Sequence, residues 1–217
     1  MKNALKNALE LSANKHALKL FSERLSNKCE FFVFFGTLLG LVRENQPIEG
    51  DDDVDFYVNK KDYAFIKDLI SLMGFDVDFG SSPNNTEYFI QVCGQHSGFE
   101  IRVDFYFYDS GTDDNFILEP WNFAGKPTCE ATVLKIPKAL VFPIKTKYYD
   151  DYPVPIPQHE AVLCEFLYGL NWRLPAKKEK DYKVMVCGGR PIRFQPKVKK
   201  AIFSFRRQAG FKEAILP

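Results

Sequence analysis

No stretch of this sequence approaches the roughly 18 uncharged apolar residues that a membrane-spanning helix needs. The longest candidate, residues 31–42, is shorter and contains two glycines. The opening MKNALKNALELSANKHALKLF carries charges throughout and lacks the apolar centre of a secretory signal, so a cytoplasmic protein is expected. Cysteines are few. Cys29, Cys93, Cys129, Cys164 and Cys187 are an odd number at wide spacing with no CxxC pair, which argues against a disulfide framework and a zinc knuckle and leaves reduced, buried thiols. His16, His96 and His159 stand in no HExxH or HxxxH arrangement and are assigned no metal. A P-loop GxxxxGK[ST] and a kinase Gly-rich signature are also missing, so the usual ATP-binding folds are not indicated.

Net charge is almost absent at +1, but its distribution is uneven: residues 173–207 hold 12 Lys+Arg against 2 Asp+Glu, leaving 17 against 26 elsewhere. A basic segment beside an acidic remainder suits a polyanionic substrate or an anionic membrane surface, and equally a solvated basic face. With 217 residues and 46% hydrophobic content, the chain can bury one sizeable core with an appended lobe. The prolines between 137 and 157 mark the expected boundary, which divides the chain into 1–140 and 141–217.

Leu5, Leu9, Leu18, Phe21 and Leu25 recur at helical spacing, so residues 3–26 read as one amphipathic helix. EFFVFF at 30–35 reads as a buried strand, broken at Gly36–Thr37, with Thr37 as N-cap of a short helix through Arg43. Asp62 opens a helix over 62–73, with Tyr63, Ile66, Ile70 and Met73 on its apolar side and Gly74 closing it. Residues 75–78 suit a short strand, GSSPNN at 80–85 a loop, and 88–93 and 99–108 two further strands. Residues 109–131 read as loop-rich, and Gln158 to Tyr168 as a helix.

Against this background GDDDVDFYV at 50–58 stands out, with four aspartates in five positions ahead of an apolar run. Asp53 and Asp55 are separated by one residue, so on a strand they aim two carboxylates to the same side. Like charges held that close raise each other's pKa unless a cation lies between them, and a hard divalent ion with oxygen ligands meets that need. An acidic turn before an edge strand fits the cluster alone equally well. A helix-loop-helix calcium site fits poorly, because the glycine and the closing glutamate are missing. Asp104 alternates onto the polar side of 99–108, where it is either a third ligand from a neighbouring strand or a surface acid paired with Arg102. Asp51 and Asp52 read as solvated turn residues or as acids one layer out from a metal. A helix N-terminus near three carboxylates is the equipment of phosphoryl transfer.

FFGTLLGLVRENQPIEGDDDVDFYV resembles the LicD/fukutin family of the nucleotidyltransferase (DNA-polymerase-β-like) superfamily, which shows a GTLLGxxR helix followed by a DDDxD strand. FPIKTKYYDDYPVPIPQHEAVLCEFLYGLNWRLP at 142–175 is similar to its second pattern, FP, then VPxP, then a helix ending in YGxxW. The resemblance implies an α+β fold, a mixed sheet flanked by helices with a small helical and basic C-terminal extension. It also implies dependence on Mg²⁺, with Mn²⁺ as the alternative, and transfer of a phosphorylated alcohol such as phosphocholine or ribitol phosphate from a CDP-linked donor to a glycan or lipid-linked saccharide. Asp53 and Asp55 match its metal-binding pair, Gly36 and Thr37 its turn over the donor phosphates, and Asp104 its third carboxylate. Asp104 is placed by strand pattern, and it could also serve as general base. Arg43 is either a phosphate neutraliser or a structural helix-end cation. Tyr168, Gly169 and Trp172 match the second pattern as packing or as a substrate platform. One departure bears on donor and acceptor identity: Ile48-Glu49-Gly50 stands where the family has Ile-Pro-aromatic. Two rival readings remain, a nucleotidyltransferase using an NTP and a non-catalytic nucleic-acid-binding module using the basic segment. The acid set weighs against the second, and no nucleic-acid partner is expected.

Overall fold

The computed structural model describes residues 2–78, 89–109, 114–119, 134–175, 183–187 and 190–193. The expected loop at 80–85, most of 109–131, Cys129 and much of the basic segment lie outside the described residues. In chain order the elements are α1 (Lys2–Leu25), β1 (Phe31–Val33), α2 (Phe35–Glu44), β2 (Val54–Asn59), α3 (Tyr63–Met73), β3 (Asp76–Asp78), β4 (Phe89–His96) and β5 (Phe99–Tyr108). There follow β6 (Phe116–Glu119), β7 (Leu134–Pro137), α4 (Lys138–Val141), β8 (Lys145–Tyr149), β9 (Tyr152–Ile156), α5 (Glu160–Tyr168), β10 (Lys183–Cys187) and β11 (Arg190–Arg193).

The central sheet runs β1-β2-β5-β4-β3 and is mixed: β2 and β5 are parallel, while the other neighbours are antiparallel. Every residue of β2 is buried, so this strand is covered on both faces. On one face Phe56 and Phe105 stack at 5.6 Å, and Phe21 of α1 closes over both. On the other, Phe32, Phe34, Tyr57 and Tyr108 form an aromatic layer that also takes in Phe142. The result is an α+β fold, a mixed sheet with flanking helices, as the sequence predicts. A second sheet, β11-β10-β7-β6, and the hairpin β8–β9 complete it.

Several local expectations are corrected. Leu18, Phe21 and Leu25 are buried, but Leu5 and Leu9 are 66% and 62% exposed, so only the C-terminal half of α1 supplies the core. The short helix begins at Phe35 rather than after Thr37, and its N-cap residue, Phe34, makes no side-chain cap. Asp62 does not cap α3; its carboxylate accepts from the Glu30 amide at 3.1 Å. Gly74 does close α3, with φ of 72° and its N–H reaching the carbonyls of Ile70 and Ser71. The proline-punctuated stretch 145–156 is a β-hairpin packed on α1 and β1, and its prolines are tolerated because β9 has a single partner strand. Among the described residues no helix is long and apolar enough to cross a membrane.

Candidate functional site

Asp53 directly precedes β2, and Asp55 within it lies opposite Asp104 in the parallel register with β5. Parallel partners present the same face, so the D-x-D spacing of one strand and a single acid of the next converge without a loop. Carboxylate oxygens of Asp53, Asp55 and Asp104 all lie within 4.8 Å of one another. The three residues are 6%, 2% and 0% exposed. Burying like charges this close is costly, and hard oxygen donors from two adjoining strands fit a divalent cation that would offset the repulsion.

The start of α2 is stapled to this strand. The Gly36 N–H donates to Asp55 Oδ2 at 2.9 Å, and the Asp55 N–H donates to Thr37 Oγ1 at 2.8 Å. The Phe34 N–H also reaches the Asp55 carbonyl at 3.1 Å. Phe35 makes the turn between them at φ of 41°, a region a bulky residue enters only when its surroundings hold it there. Its ring packs edge-on against Tyr106 at 4.9 Å. A Cβ on Gly36 would fall 2.7 Å from Asp51 Oδ2 and 3.3 Å from Asp55 Oδ2. Only glycine lets two carboxylates come this close to the helix start.

That contact brings in Asp51, whose place in the sequence fits a solvated turn residue or an acid one layer out. Its main chain is anchored to α1, where the Asn14 side chain donates to the Asp51 carbonyl at 2.9 Å. Asp52 points outward and pairs with Arg102 at 2.8 Å. The expected alternative partner of Arg102 was Asp104; instead Asp104 is held by Gln91 Nε2 on Oδ1 at 2.7 Å and by the Tyr106 hydroxyl on Oδ2 at 3.3 Å. Burial works against the Arg102 charge, but Cys93, Asp52 and Asp53 outweigh it and hold the guanidinium above its ordinary pKa.

Gly36, Thr37, Asp53, Asp55 and Asp104 therefore come together, and Arg43 stands apart. It lies about two turns further along α2, roughly 10 Å down the axis, where Nε donates to Glu44 Oε1 at 2.7 Å. Trp172 is buried, with the Arg173 guanidinium 4.3 Å over its ring, an arrangement of packing. Among the described cysteines, Cys29, Cys93 and Cys164 are free, and burial pushes the thiols of Cys29 and Cys164 up to about 12.

A family model described as "LicD/FKTN/FKRP, nucleotidyltransferase domain" matches residues 28–159. Among solved structures, that of the lincosamide antibiotic adenylyltransferase LnuA bound to lincomycin is similar at 15% identity and TM-score 0.44, covering 70% of this chain and 82% of that one. An antigenic nucleotidyltransferase-like protein from Paracoccidioides brasiliensis is similar at 12% identity and TM-score 0.39, covering 67% and 61%. No curated protein matches. The family match takes in more than half of the chain, including α2 and all three buried aspartates, and the chain therefore belongs to the LicD/FKTN/FKRP family of nucleotidyltransferase-like transferases.

Proposed function

We propose that the chain is a metal-dependent phosphotransferase that moves a phosphorylated small alcohol from a CDP-linked donor to a hydroxyl of a glycan or its lipid-linked precursor. The observation that carries this reading is the buried triad Asp53, Asp55 and Asp104 beside the start of α2 in a LicD domain. Mg²⁺, with Mn²⁺ as the alternative, would be held by these three carboxylates and would supply neutralisation of the donor diphosphate and of the departing CMP.

The chain's own residues have separable parts. Asp55 is fixed through its carboxylate, its N–H and its carbonyl to the first residues of α2, so its orientation does not depend on substrate. Gly36 keeps the space beside it open for oxygen atoms. Both oxygens of Asp104 already accept hydrogen bonds, which suits a ligand held in place better than a base that must take up a proton. In the reaction the acceptor oxygen forms a bond to the phosphorus of the phosphoalcohol, the bond from that phosphorus to the bridging oxygen breaks, and CMP leaves with the electron pair. The acceptor's proton passes to solvent or to a carboxylate of the site. Arg43 is proposed as a phosphate contact only through release from Glu44. The basic segment 173–207 is proposed to face the polyanionic acceptor or an anionic membrane surface at the cytoplasmic side.

The family description also supports a second reading, transfer of NMP from an NTP to a sugar phosphate, small molecule or protein. The two differ in leaving group. Incubation with Mg²⁺, a panel of CDP-alcohols (choline, ethanolamine, glycerol, ribitol) and a crude polysaccharide extract should release CMP, and Asp53→Ala with Asp55→Ala should abolish it. Pyrophosphate release from an NTP, with no CMP from any donor, would replace the first reading with the second.

A further inference from the structure

We propose that Gln91 is a positioning residue for Asp104, holding its carboxylate in the orientation that meets Asp53 and Asp55. The inference rests on the reading of those three acids as ion ligands. Three successive strands place these side chains in one row: Asp55 on β2 opposes Asp104 on β5, and Asp104 opposes Gln91 on β4. An ionised carboxylate can only accept, so the amide NH₂ is the end of Gln91 that faces it. That bond, at 2.7 Å, is shorter than the one from the Tyr106 hydroxyl, at 3.3 Å. Each carboxylate oxygen has two lone pairs, so a hydrogen bond and a cation can share one carboxylate.

The residue type also fits this task. A lysine or arginine opposite Asp104 would satisfy the carboxylate but neutralise it, competing with the cation the cluster is built to attract. A neutral amide fixes the direction of the side chain and leaves its charge intact. Tyr106 supports the second oxygen from a ring wedged between Phe35 and Phe89, at 4.9 and 5.2 Å, so the donor on that side is also rigidly placed. Without Gln91, Oδ1 of Asp104 loses this bond, and the direction of the carboxylate toward the cluster is less firmly set.

The test is Mn²⁺ binding to the full chain, followed by the electron paramagnetic resonance signal of free Mn²⁺, with thermal melts as a check of folding. Gln91→Met keeps the length and loses the donor; Gln91→Asn keeps the amide on a shorter stem that does not reach Asp104. Either folded variant serves, and the expected result is about tenfold weaker binding, with melting shifted no more than by Gln95→Met at the exposed glutamine of the same strand. Wild-type affinity in a folded variant, with binding abolished in Asp55→Asn, overturns the role of Gln91 and leaves the metal site standing. Failure of the wild-type protein to bind Mn²⁺ overturns the metal reading, and this inference with it.

Discussion

Two of the polar clusters beside β5 are built on opposite principles. At the β4–β5 turn, His16 Nε2 of α1 meets His96 Nδ1 at 2.7 Å, and the His16 ring stacks on Phe99 at 4.8 Å. Five residues further along β5, roughly 17 Å of strand, Asp104 joins Asp53 and Asp55. The imidazole pair satisfies itself: one ring donates, the other accepts, and neither needs to carry charge. The acid cluster gathers charges of one sign. A pair that completes itself serves the fold, whereas a cluster that repels itself is costly without a bound cation.

The sharpest way to break this contrast is to neutralise an acid. Asp55→Asn and Asp104→Asn should each lower turnover on the order of 10²–10³-fold while melting temperature holds or rises, because one repelling charge is gone. Melting curves with and without Mg²⁺ supply the second readout: the metal should stabilise the wild-type protein and neither variant. A large drop in metal-free stability would mean that the acids are structural after all. Gly36→Ala comes next. Its Cβ would lie 2.7 Å from Asp51 Oδ2, the end of a flexible side chain, so the fold accommodates it by moving the carboxylate. Turnover should fall on the order of tenfold to a hundredfold, with little change in melting.

Arg43→Lys separates the two parts this residue can play. A phosphate contact shows as a raised KM for the donor at unchanged melting temperature; packing between α2 and α5 shows as lowered melting at unchanged KM. Its place by Glu44, two turns from Gly36, makes the second outcome the expected one, with kcat/KM within severalfold of the wild type.

The legibility of this molecule in its sequence follows the range of the interactions. Alternation found β2 and β5, and with them Asp53, Asp55 and Asp104, because a strand's period is local and each acid's face follows from its own neighbours. The pairing of β2 with β5 joins residues 49 apart, and Gln91 carried no signal of its own: a glutamine in a strand reads as surface until the β4–β5 register places it opposite an aspartate. The place of Asp51, solvated or one layer out, stayed open in the sequence for a related reason. Its carboxylate comes close to the first turn of α2 where residue 36 lacks a Cβ, a relation between a turn and a helix start rather than a pattern in either. The hairpin at 145–156 was hidden by prolines that only an edge strand admits, and the exposed Leu5 and Leu9 share the helical period of buried residues.

The imidazole pair sharpens the comparison from the other side, through pH. Burial, then the neighbouring His96, lowers the His16 pKa below its ordinary 6.5, so the folded protein resists taking up a proton that the unfolded chain accepts. The sign follows: the contribution to stability is complete above pH 6.5 and is lost as pH falls below it, since there the unfolded state binds more protons. His16→Phe keeps a ring to stack on Phe99 and removes the titrating group, while His96 Nδ1 retains the Ser97 hydroxyl at 3.3 Å. Between pH 7 and 5 the melting temperature of the variant should therefore fall less steeply than that of the wild type, with transferase activity at pH 7.5 unaltered. Parallel pH slopes in the two proteins would show that the pair carries no protonation-linked stability, and altered activity at pH 7.5 would show that the two clusters are not independent.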